Sequence, residues 1–261
     1  MAPPPLAGKI VFVTGGARGI GRGIAEACAD AGAEVAVGDL DADGAKETAG
    51  RLEARGRRAL ALTLDVTEPA SLEAALTAAA ASLGRIDGFV NNAGVLRMDG
   101  ALDARAEDFE AQMRVNAHAV LRACQAAARR MIAQGGGGAI VNVASNAGKV
   151  GYRNMAGYNA SKAAVISLTR SLSLEWAEAR INVNAVCPGG VDTQMLREVA
   201  EWLAPRLAET PDALHARMKP RQLPRQIQPI EVGRVVAFLL SDAAVIIRGQ
   251  AINVDGGDTP Y

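Results

Sequence analysis

Short apolar runs alternate with longer amphipathic stretches along most of the chain. Apolar runs of about four to eight residues are typical of buried β-strands. The stretches between most of these runs are long enough for helices. The pattern predicts strands at Ile10–Val13, Glu34–Gly38, Ala59–Leu64, Gly88–Asn91, Ala139–Val143, Ile181–Val186 and Ala251–Val254.

This alternation predicts an α/β fold, a doubly wound parallel sheet with helices on both faces. The last connection, which ends at Ala251, is expected to carry two helical segments and a loop. A chain of 261 residues is long enough for one large domain with a continuous core. No repeat or linker divides it, so we expect residues 1–261 to form a single domain, with ligands bound at the carboxyl ends of the strands.

Composition narrows the classes of function. Apolar residues make up 49% of the chain, and much of this is alanine, which suits closely packed helices. Lys plus Arg equals Asp plus Glu at 28 each, so no strong field favours nucleic acid or an anionic membrane as a partner. No apolar run is long enough to span a bilayer. The segment Met1–Leu6 lacks the basic and apolar regions of a secretory signal, so a cytoplasmic location is expected.

Metal chemistry has no support in the sequence. The two histidines, His118 and His215, lack the spacing of metal ligands. The three cysteines are widely separated and show neither a metal-ligand nor a disulfide pattern, which favours a reduced compartment. The run of four glycines at 135–138 lacks the Lys-Ser/Thr ending of a P-loop, so we interpret it as a surface turn.

A glycine-rich turn at Thr14–Gly21 follows an apolar run and precedes a helix predicted from Ile24. In that setting the backbone can approach a pyrophosphate, and the helix N-terminus stabilises the negative charge. Asp39 ends the next predicted strand, 18 residues after Gly21, where an acid can bind ribose hydroxyls. A tight turn without a ligand, and a helix-capping role for Asp39, remain alternatives for these residues.

Tyr158 and Lys162 are four residues apart, which places them on one face of a helix. A free phenol has a pKa of about 10, and a nearby positive charge lowers it. The pair is therefore a candidate for proton transfer near neutral pH. The same spacing also occurs in ordinary solvated helix faces, so the pair alone leaves both interpretations open.

The order of these motifs carries a family resemblance over nearly the whole chain. The chain resembles the short-chain dehydrogenase/reductase family, and within it the bacterial NAD-dependent sorbitol and butanediol dehydrogenases. The matching elements are the TGxxxGxG turn at 14–21, Asn91-Asn92-Ala93-Gly94, Asn116, Ser145, Tyr158 with Lys162, and Pro188-Gly189 followed by Thr193. The resemblance implies a single Rossmann-type domain.

The resemblance also implies roles for four catalytic residues. Tyr158 would act as general acid or base, and Lys162 would keep its pKa low and bind the nicotinamide ribose. Ser145 would donate a hydrogen bond to the substrate oxygen. Asn116, where the family's helix is locally distorted, would hold a water that connects Lys162 to solvent.

NAD is the expected cofactor, because Asp39 would repel the 2′-phosphate of NADP. Arg18 could tolerate that phosphate, but relatives with an acid at this position commonly carry such an arginine and use NAD. Asp65 and Val66 would hold the adenine, and Val191 and Thr193 the nicotinamide amide. The residues that the resemblance assigns to the cofactor are Gly15, Arg18, Gly19, Ile20, Gly21, Asp39, Asp65, Val66, Asn92, Ala93, Gly94, Tyr158, Lys162, Pro188, Gly189, Val191 and Thr193.

The substrate is expected to be a small molecule. The resemblance implies a variable substrate loop at about residues 192–225, and a mixed polar and apolar lining would suit a small polyol, diol or hydroxyketone. The residues expected to face the substrate are Ser145, Asn146, Ala147, Tyr152, Met155, Tyr158, Gly190 and Met195. Two alternatives stay open: an NADPH-dependent β-ketoacyl carrier-protein reductase, and a non-enzymatic cofactor-sensing scaffold.

Assembly is expected as well. The alanine-rich helices near Asp103–Ala133 and Met155–Ala179 carry apolar residues at helical spacing, and in the family such helices pair across two-fold axes. A homotetramer is therefore expected. The segments 224–231 and 246–250 depart from the family pattern near subunit contacts, which leaves a dimer as the alternative.

Overall fold

A computed structural model describes residues 3–260, so Met1, Ala2 and Tyr261 lie outside it, including part of the segment on which the expectation about a leader depends. Each of the seven predicted strands is present, with ends that differ by two residues at most. The strands are β1 Ile10–Thr14, β2 Glu34–Asp39, β3 Ala59–Thr63, β4 Gly88–Asn91, β5 Gly138–Val143, β6 Ile181–Pro188 and β7 Ala251–Val254.

The strands form one parallel sheet in the order β3-β2-β1-β4-β5-β6-β7. The chain builds outward from β1 to β3, crosses to the other side of β1, and continues outward from β4 to β7. The strand order therefore reverses between β1 and β4. In a doubly wound sheet, ligands bind in the crevice at that reversal.

Nine α-helices connect the strands in the described part of the chain. They are α1 Gly19–Asp30, α2 Ala42–Glu53, α3 Pro69–Leu83, α4 Ala106–Met113, α5 Ala119–Gln134, α6 Ala156–Glu175, α7 Gln194–Leu207, α8 Pro211–Arg217 and α9 Pro229–Leu240. One turn of π-helix, Arg114–His118, joins α4 to α5.

The last connection differs from the expectation, because it carries three helices rather than two. Each begins at a local start signal. The Thr193 hydroxyl accepts from the Leu196 amide at α7, and Thr210 caps α8 ahead of Pro211. The segment 192–225, expected to be a variable loop, is thus largely helical.

The helix α9 explains the unusual segment 224–231. Gln228 and Glu231 form a capping box, in which the Glu231 carboxylate accepts from the Gln228 amide at 2.8 Å. Arg225 donates two hydrogen bonds to the same carboxylate, each 2.7 Å long. These bonds hold the pKa of Glu231 at about 2, below its ordinary value. The departure from the family pattern therefore encodes a well-defined helix start.

Two apolar cores cover the two faces of the sheet. One packs α3, α5 and α6 against it, and the other packs α1, α2 and α9. The helices α1 and α9 approach closely at Gly23 and Gly233, where a side-chain carbon would collide with the backbone of the opposite helix. Among the described residues, no helix is long and apolar enough to cross a membrane.

Candidate active site

The glycine turn between β1 and α1 is held by the side chains of Asn92, which follows β4, and Thr14, which ends β1. The Asn92 amide donates to the carbonyls of Thr14 and Gly15 at 3.1 and 2.8 Å. The Thr14 hydroxyl accepts from the backbone of Asn92 and Ala93 at 3.0 and 3.2 Å. Gly15 has φ +64°, and a side chain on it would lie 2.7 Å from the Cα of Ala93. The backbones of the two segments therefore meet where the strand order reverses.

The N-terminus of α1 suits a negatively charged ligand. Its first residue follows Arg18, which makes no side-chain cap, and the first turn holds no acidic residue. The orphan N–H groups of Gly19, Ile20 and Gly21 thus keep their partial positive charge at the helix end. A side chain on Gly21 would collide with the Gly15 carbonyl, so only glycine keeps this cradle open. These residues fit the pyrophosphate of a dinucleotide.

Asp39 lies beside the turn at the end of β2. One carboxylate oxygen accepts from the Ala17 amide at 2.9 Å, and the other accepts from the Asp41 amide at 3.0 Å. Asp41, rather than Asp39, caps α2. Asp39 therefore braces the glycine turn and places a negative charge next to it.

The remaining residues assigned to the cofactor follow the ends of other strands. Asp65 and Val66 come after β3, where one Asp65 oxygen accepts from the Thr67 amide and hydroxyl at 2.8 and 2.7 Å. Pro188 ends β6, and Gly189, Val191 and Thr193 follow it, with Val191 paired to Ile227. A side chain on Gly19 would lie 3.4 Å from the Thr193 methyl, so the start of α1 and the start of α7 face each other.

Ser145, Tyr158 and Lys162 come together between the end of β5 and the start of α6. The Ser145 hydroxyl approaches the Tyr158 phenol closely enough to act on its pKa. The Lys162 ammonium donates to the Val143 carbonyl at 2.8 Å and lies 5.7 Å from the centre of the Tyr158 ring. Lys162 is 5% exposed, which is rare for an ammonium group without a carboxylate partner.

The pKa of Tyr158 differs from the expectation, and the pKa of Lys162 is shifted as well. Burial raises the pKa of Tyr158 to about 12, and the hydrogen bond from Ser145 acts in the opposite direction. Burial also lowers the pKa of Lys162 to about 8. The low pKa expected for Tyr158 was wrong: its pKa lies above the ordinary value, because burial, which penalises the charged form, has the largest effect.

Asn116 lies in the π-helical turn, so the local distortion expected at this residue is present. Its amide oxygen accepts from the Val95 amide at 2.9 Å, and its nitrogen donates to Val95 and to the Ser161 hydroxyl. A side chain on Gly94 would lie 3.2 Å from the Asn116 oxygen and 3.6 Å from the Lys162 nitrogen. Asn116 and Lys162 therefore border one small space beside Gly94.

The residues expected to face the substrate divide into two groups. The Asn146 amide donates to the Tyr152 hydroxyl at 2.9 Å, and the Ala147 amide donates to the Ser145 hydroxyl at 3.1 Å. These residues extend the polar site from Ser145 toward the surface. Met155 precedes α6 and Met195 lies in the first turn of α7, both partly buried.

Gly190 is packed more closely than expected. A side chain on it would lie 2.9 Å from the Met218 carbonyl, so the end of α8 covers this position.

Two features of the site were missed from the sequence. His215 of α8 is 8% exposed, lies 3.7 Å from the Asp192 carboxylate, and its carbonyl accepts from Gln226 at 2.6 Å. His215 therefore connects α8 to residues at the two ends of the segment 192–225. The Thr14 hydroxyl, which holds the NNAG segment, was also missed, although the threonine opens the glycine motif.

Comparison with known proteins identifies the family. A family model described as enoyl-(acyl carrier protein) reductase matches residues 15–259. A crystal structure of a short-chain type dehydrogenase/reductase from Mycobacterium marinum is 34% identical, with a TM-score of 0.90 over 99% of this chain and 98% of that one. The chain belongs to the short-chain dehydrogenase/reductase family. The Rossmann-type fold expected from the sequence is confirmed.

Several curated relatives are named as dehydrogenases. D-threitol dehydrogenase of Mycolicibacterium smegmatis is 38% identical over 97% of this chain and 94% of that protein. Cis-4-hydroxycyclohexanecarboxylate dehydrogenase of Sinomonas cyclohexanicum is 40% identical over 97% and 98%. This short-chain dehydrogenase/reductase is therefore an oxidoreductase that acts on CH–OH groups.

Proposed function

We propose that the protein is an NAD-dependent dehydrogenase that interconverts a small secondary alcohol, of the polyol, diol or sugar-like class, and its ketone. The observation that carries this proposal is the juxtaposition of the Ser145 hydroxyl and the Tyr158 phenol, with the buried Lys162 ammonium 5.7 Å from the centre of the phenol ring. This arrangement offers one oxygen position with a hydrogen-bond donor and a proton-transfer group side by side.

Each catalytic residue has a defined task in this proposal. The Ser145 hydroxyl holds the substrate oxygen and stabilises the charge that develops on it. Tyr158, with a pKa of about 12, is protonated at neutral pH and donates its proton to a ketone oxygen during reduction. Oxidation requires the ionised phenol: Tyr158 first releases its own proton to solvent through the space beside Lys162 and Asn116, and the alcohol proton then passes to the phenolate oxygen. NAD, when bound, supplies the hydride acceptor at the substrate carbon.

Lys162 and Asn116 support the proton transfer. As Tyr158 gives up its proton, negative charge develops on its oxygen, and the Lys162 ammonium stabilises that charge. Asn116 borders the space next to Lys162, where a water could relay protons to solvent.

NAD rather than NADP is supported by Asp39. Its carboxylate is held at the end of β2 by two backbone N–H groups, so it cannot easily turn away from a ligand in the crevice. A 2′-phosphate at this place would meet a like charge at close range. The β-ketoacyl reductase alternative is weakened by the same residue, because that alternative was tied to NADPH.

The substrate class is supported by the polar side of the site and by a relative. Tyr152 accepts from Asn146, which leaves the phenol hydrogen available for an oxygen on a substrate. A second hydroxyl near the reacting carbon would supply that oxygen. One relative is named for the polyol D-threitol, which agrees with this reading.

We also propose a homotetramer. Its supporting observation is a groove of about 420 Å³ between α5 and α6, lined by Leu121, Ile132, Leu168, Leu172 and Trp176 among others.

The experiment is a panel of monoalcohols, diols, polyols and hydroxy acids, each assayed with NAD and with NADP. The proposal expects turnover of a diol or polyol with NAD. Asp39→Ala should shift the ratio of kcat/KM values toward NADP by about 1–3 kcal/mol, the scale of a lost charge-assisted hydrogen bond. Asp39→Asn is the matched control, because it keeps an acceptor for Ala17 but removes the charge. A wild-type preference for NADP would overturn the cofactor assignment.

A further inference from the structure

Four buried polar side chains form a cluster that the proposed mechanism does not use. Asn91, Cys124, Asn142 and Thr169, here called the asparagine cluster, are all 4% exposed or less. They lie on the face of the sheet that α5 and α6 cover. Burying polar groups costs free energy unless they are hydrogen-bonded, so a cluster of this kind constrains the positions of the elements that carry it.

The cluster ties two strands to two helices. Asn91 of β4 and Asn142 of β5 are neighbours in the sheet register, and the Asn91 nitrogen donates to the Asn142 oxygen at 2.9 Å. Cys124 of α5 contacts both asparagines at 3.2 and 3.4 Å. The Asn142 nitrogen donates to the Thr169 hydroxyl of α6 at 3.0 Å, and that hydroxyl donates to the Val165 carbonyl at 2.8 Å.

The bond from Asn142 to Thr169 joins the same two elements, β5 and α6, that hold Lys162. Asn142 immediately precedes Val143, whose carbonyl accepts from Lys162. Thr169 follows Lys162 by seven residues, about two helical turns, so both lie on one face of α6. The helix α6 is therefore bonded to β5 at two points. Apolar packing has no direction, whereas hydrogen bonds require a given distance and angle, so these bonds set how far α6 can slide along β5.

We propose that Thr169 and Asn142 are positioning residues that fix α6 on β5 and thereby hold the Lys162 ammonium at the Val143 carbonyl and beside Tyr158. The inference rests on the role given to Lys162 in the proposed function. Without the Thr169 oxygen, Lys162 gains freedom to leave the Val143 carbonyl and become hydrated. Its pKa then rises toward the ordinary value of a lysine, while Tyr158 and Cys187, the titratable groups that approach it, are unchanged.

The test compares Thr169→Val, which keeps the shape and removes the oxygen, with Thr169→Ser, which keeps the oxygen. The chain has only five lysines, Lys9, Lys46, Lys149, Lys162 and Lys219, so ¹³C-labelled lysine gives few NMR signals, and Lys162→Met identifies the signal of Lys162. The expected result is a rise of at least about half a pH unit in the Lys162 midpoint in Thr169→Val and none in Thr169→Ser. The kcat of Thr169→Val should fall about tenfold or more, with little change in KM for NAD.

Ile166→Val is the control for a general loss of packing, since Ile166 lies on α6 between the two bonds and is 5% exposed. It should lower the melting temperature while the Lys162 midpoint and kcat stay at their wild-type values. If Thr169→Val lowers only the melting temperature, the cluster is purely structural and the proposal is wrong. If Thr169→Val fails to fold, Thr169→Ala and Thr169→Ser decide by the same readouts. The NMR titration of Lys162 does not require catalytic activity, so its result can be interpreted even if the protein lacks the proposed function.

Discussion

Burial moves the pKa of Tyr158 and that of Lys162 in opposite directions for one reason. The charged form of each group is penalised where water is excluded, so the phenol stays protonated and the ammonium loses its proton more readily. Burial therefore moves the two pKa values apart, from nearly equal ordinary values of 10.0 and 10.5 to about 12 for Tyr158 and about 8 for Lys162. The low-dielectric surroundings also strengthen the attraction between a developing phenolate and the ammonium.

Tyr158→Phe tests the proton-transfer role directly. The variant keeps the ring and removes the only atom that can give or take the proton. We expect kcat to fall by about 10²- to 10⁴-fold, the range typical of general acid–base groups, while NAD affinity changes little. Steady-state kinetics and NAD titration by fluorescence measure the two effects. Retention of more than roughly a tenth of the wild-type rate, with chemistry rate-limiting, would exclude the assignment.

Lys162→Met tests the pKa of the buried lysine through stability. The folded pKa is about 8, below the ordinary value of 10.5, so the unfolded chain binds more protons between these two pH values. The free energy of unfolding of the wild type therefore increases with pH in this window, and the variant does not show this increase. Between about pH 7 and about pH 10, the free energy of unfolding of the wild type should rise by roughly 2 kcal/mol relative to that of the variant.

Urea unfolding of both proteins at several pH values gives this difference. The titrations of groups that do not contact Lys162 are common to both proteins and cancel. A difference that stays constant across the pH range would mean that the folded pKa of Lys162 is not lowered.

At the scale of elements, the strands were predictable and several helices were not. Strands of a parallel sheet are covered on both faces, so they appear in the sequence as continuous apolar runs, as at Ile10–Thr14. The helices α7 and α8 carry few buried residues, and each of their starts is marked by a single capping threonine.

The candidate site was predictable only in part. The sequence pointed to Ser145, Tyr158 and Lys162 because they stand at fixed spacings in motifs that resemble those of the family. The asparagine cluster was not found, because its bonds join residues from four elements that are far apart in sequence. The one signal was Asn142, a polar residue inside an otherwise apolar strand. The raised pKa of Tyr158 was also out of reach, since burial depends on the assembled fold.

The close contact between α1 and α9 makes a prediction about Gly23. A methyl group there would lie 2.6 Å from the Pro229 carbonyl oxygen, so Gly23→Ala must push the helices apart. We expect a loss of about 1–3 kcal/mol in the free energy of unfolding, together with weaker NAD binding because α1 carries the glycine cradle. Denaturant unfolding and NAD titration measure both.

Gly50→Ala is the matched control, since it makes the same change in the interior of α2 where nothing lies within 4 Å. It should leave NAD binding unchanged and stabilise the protein by about 0.5–1 kcal/mol. If Gly23→Ala behaved like Gly50→Ala, the close helix contact would not limit stability.

At the scale of the whole molecule, two surfaces bear on assembly. The groove between α5 and α6 presents Ile132, which is 54% exposed. A second apolar surface includes Phe238 at the end of α9 and Ile246, which is 88% exposed. The segment 246–250 lies at this second surface, just ahead of the edge strand β7.

The proposed tetramer predicts a mass about four times the 27.0 kDa of one chain in light scattering coupled to gel filtration. Ile132→Glu should disrupt the first interface and Ile246→Glu the second, since a charge is costly in a buried apolar interface. Each variant should give a dimer. Leu102→Glu is the matched control, because Leu102 is fully exposed outside both surfaces. A wild-type protein with the mass of a single chain would refute assembly altogether.

The order of the strands also bears on how the chain is made. After the crossover from β3 to β4, every new strand is laid against the strand that the ribosome released just before it. A nascent chain can therefore extend its sheet from the amino end without waiting for distant segments, and domains generally fold in this direction during synthesis. Until β7 emerges, however, the growing edge of the sheet is β4, β5 or β6, a strand that is interior in the finished protein, and unfinished chains could pair with one another at that edge.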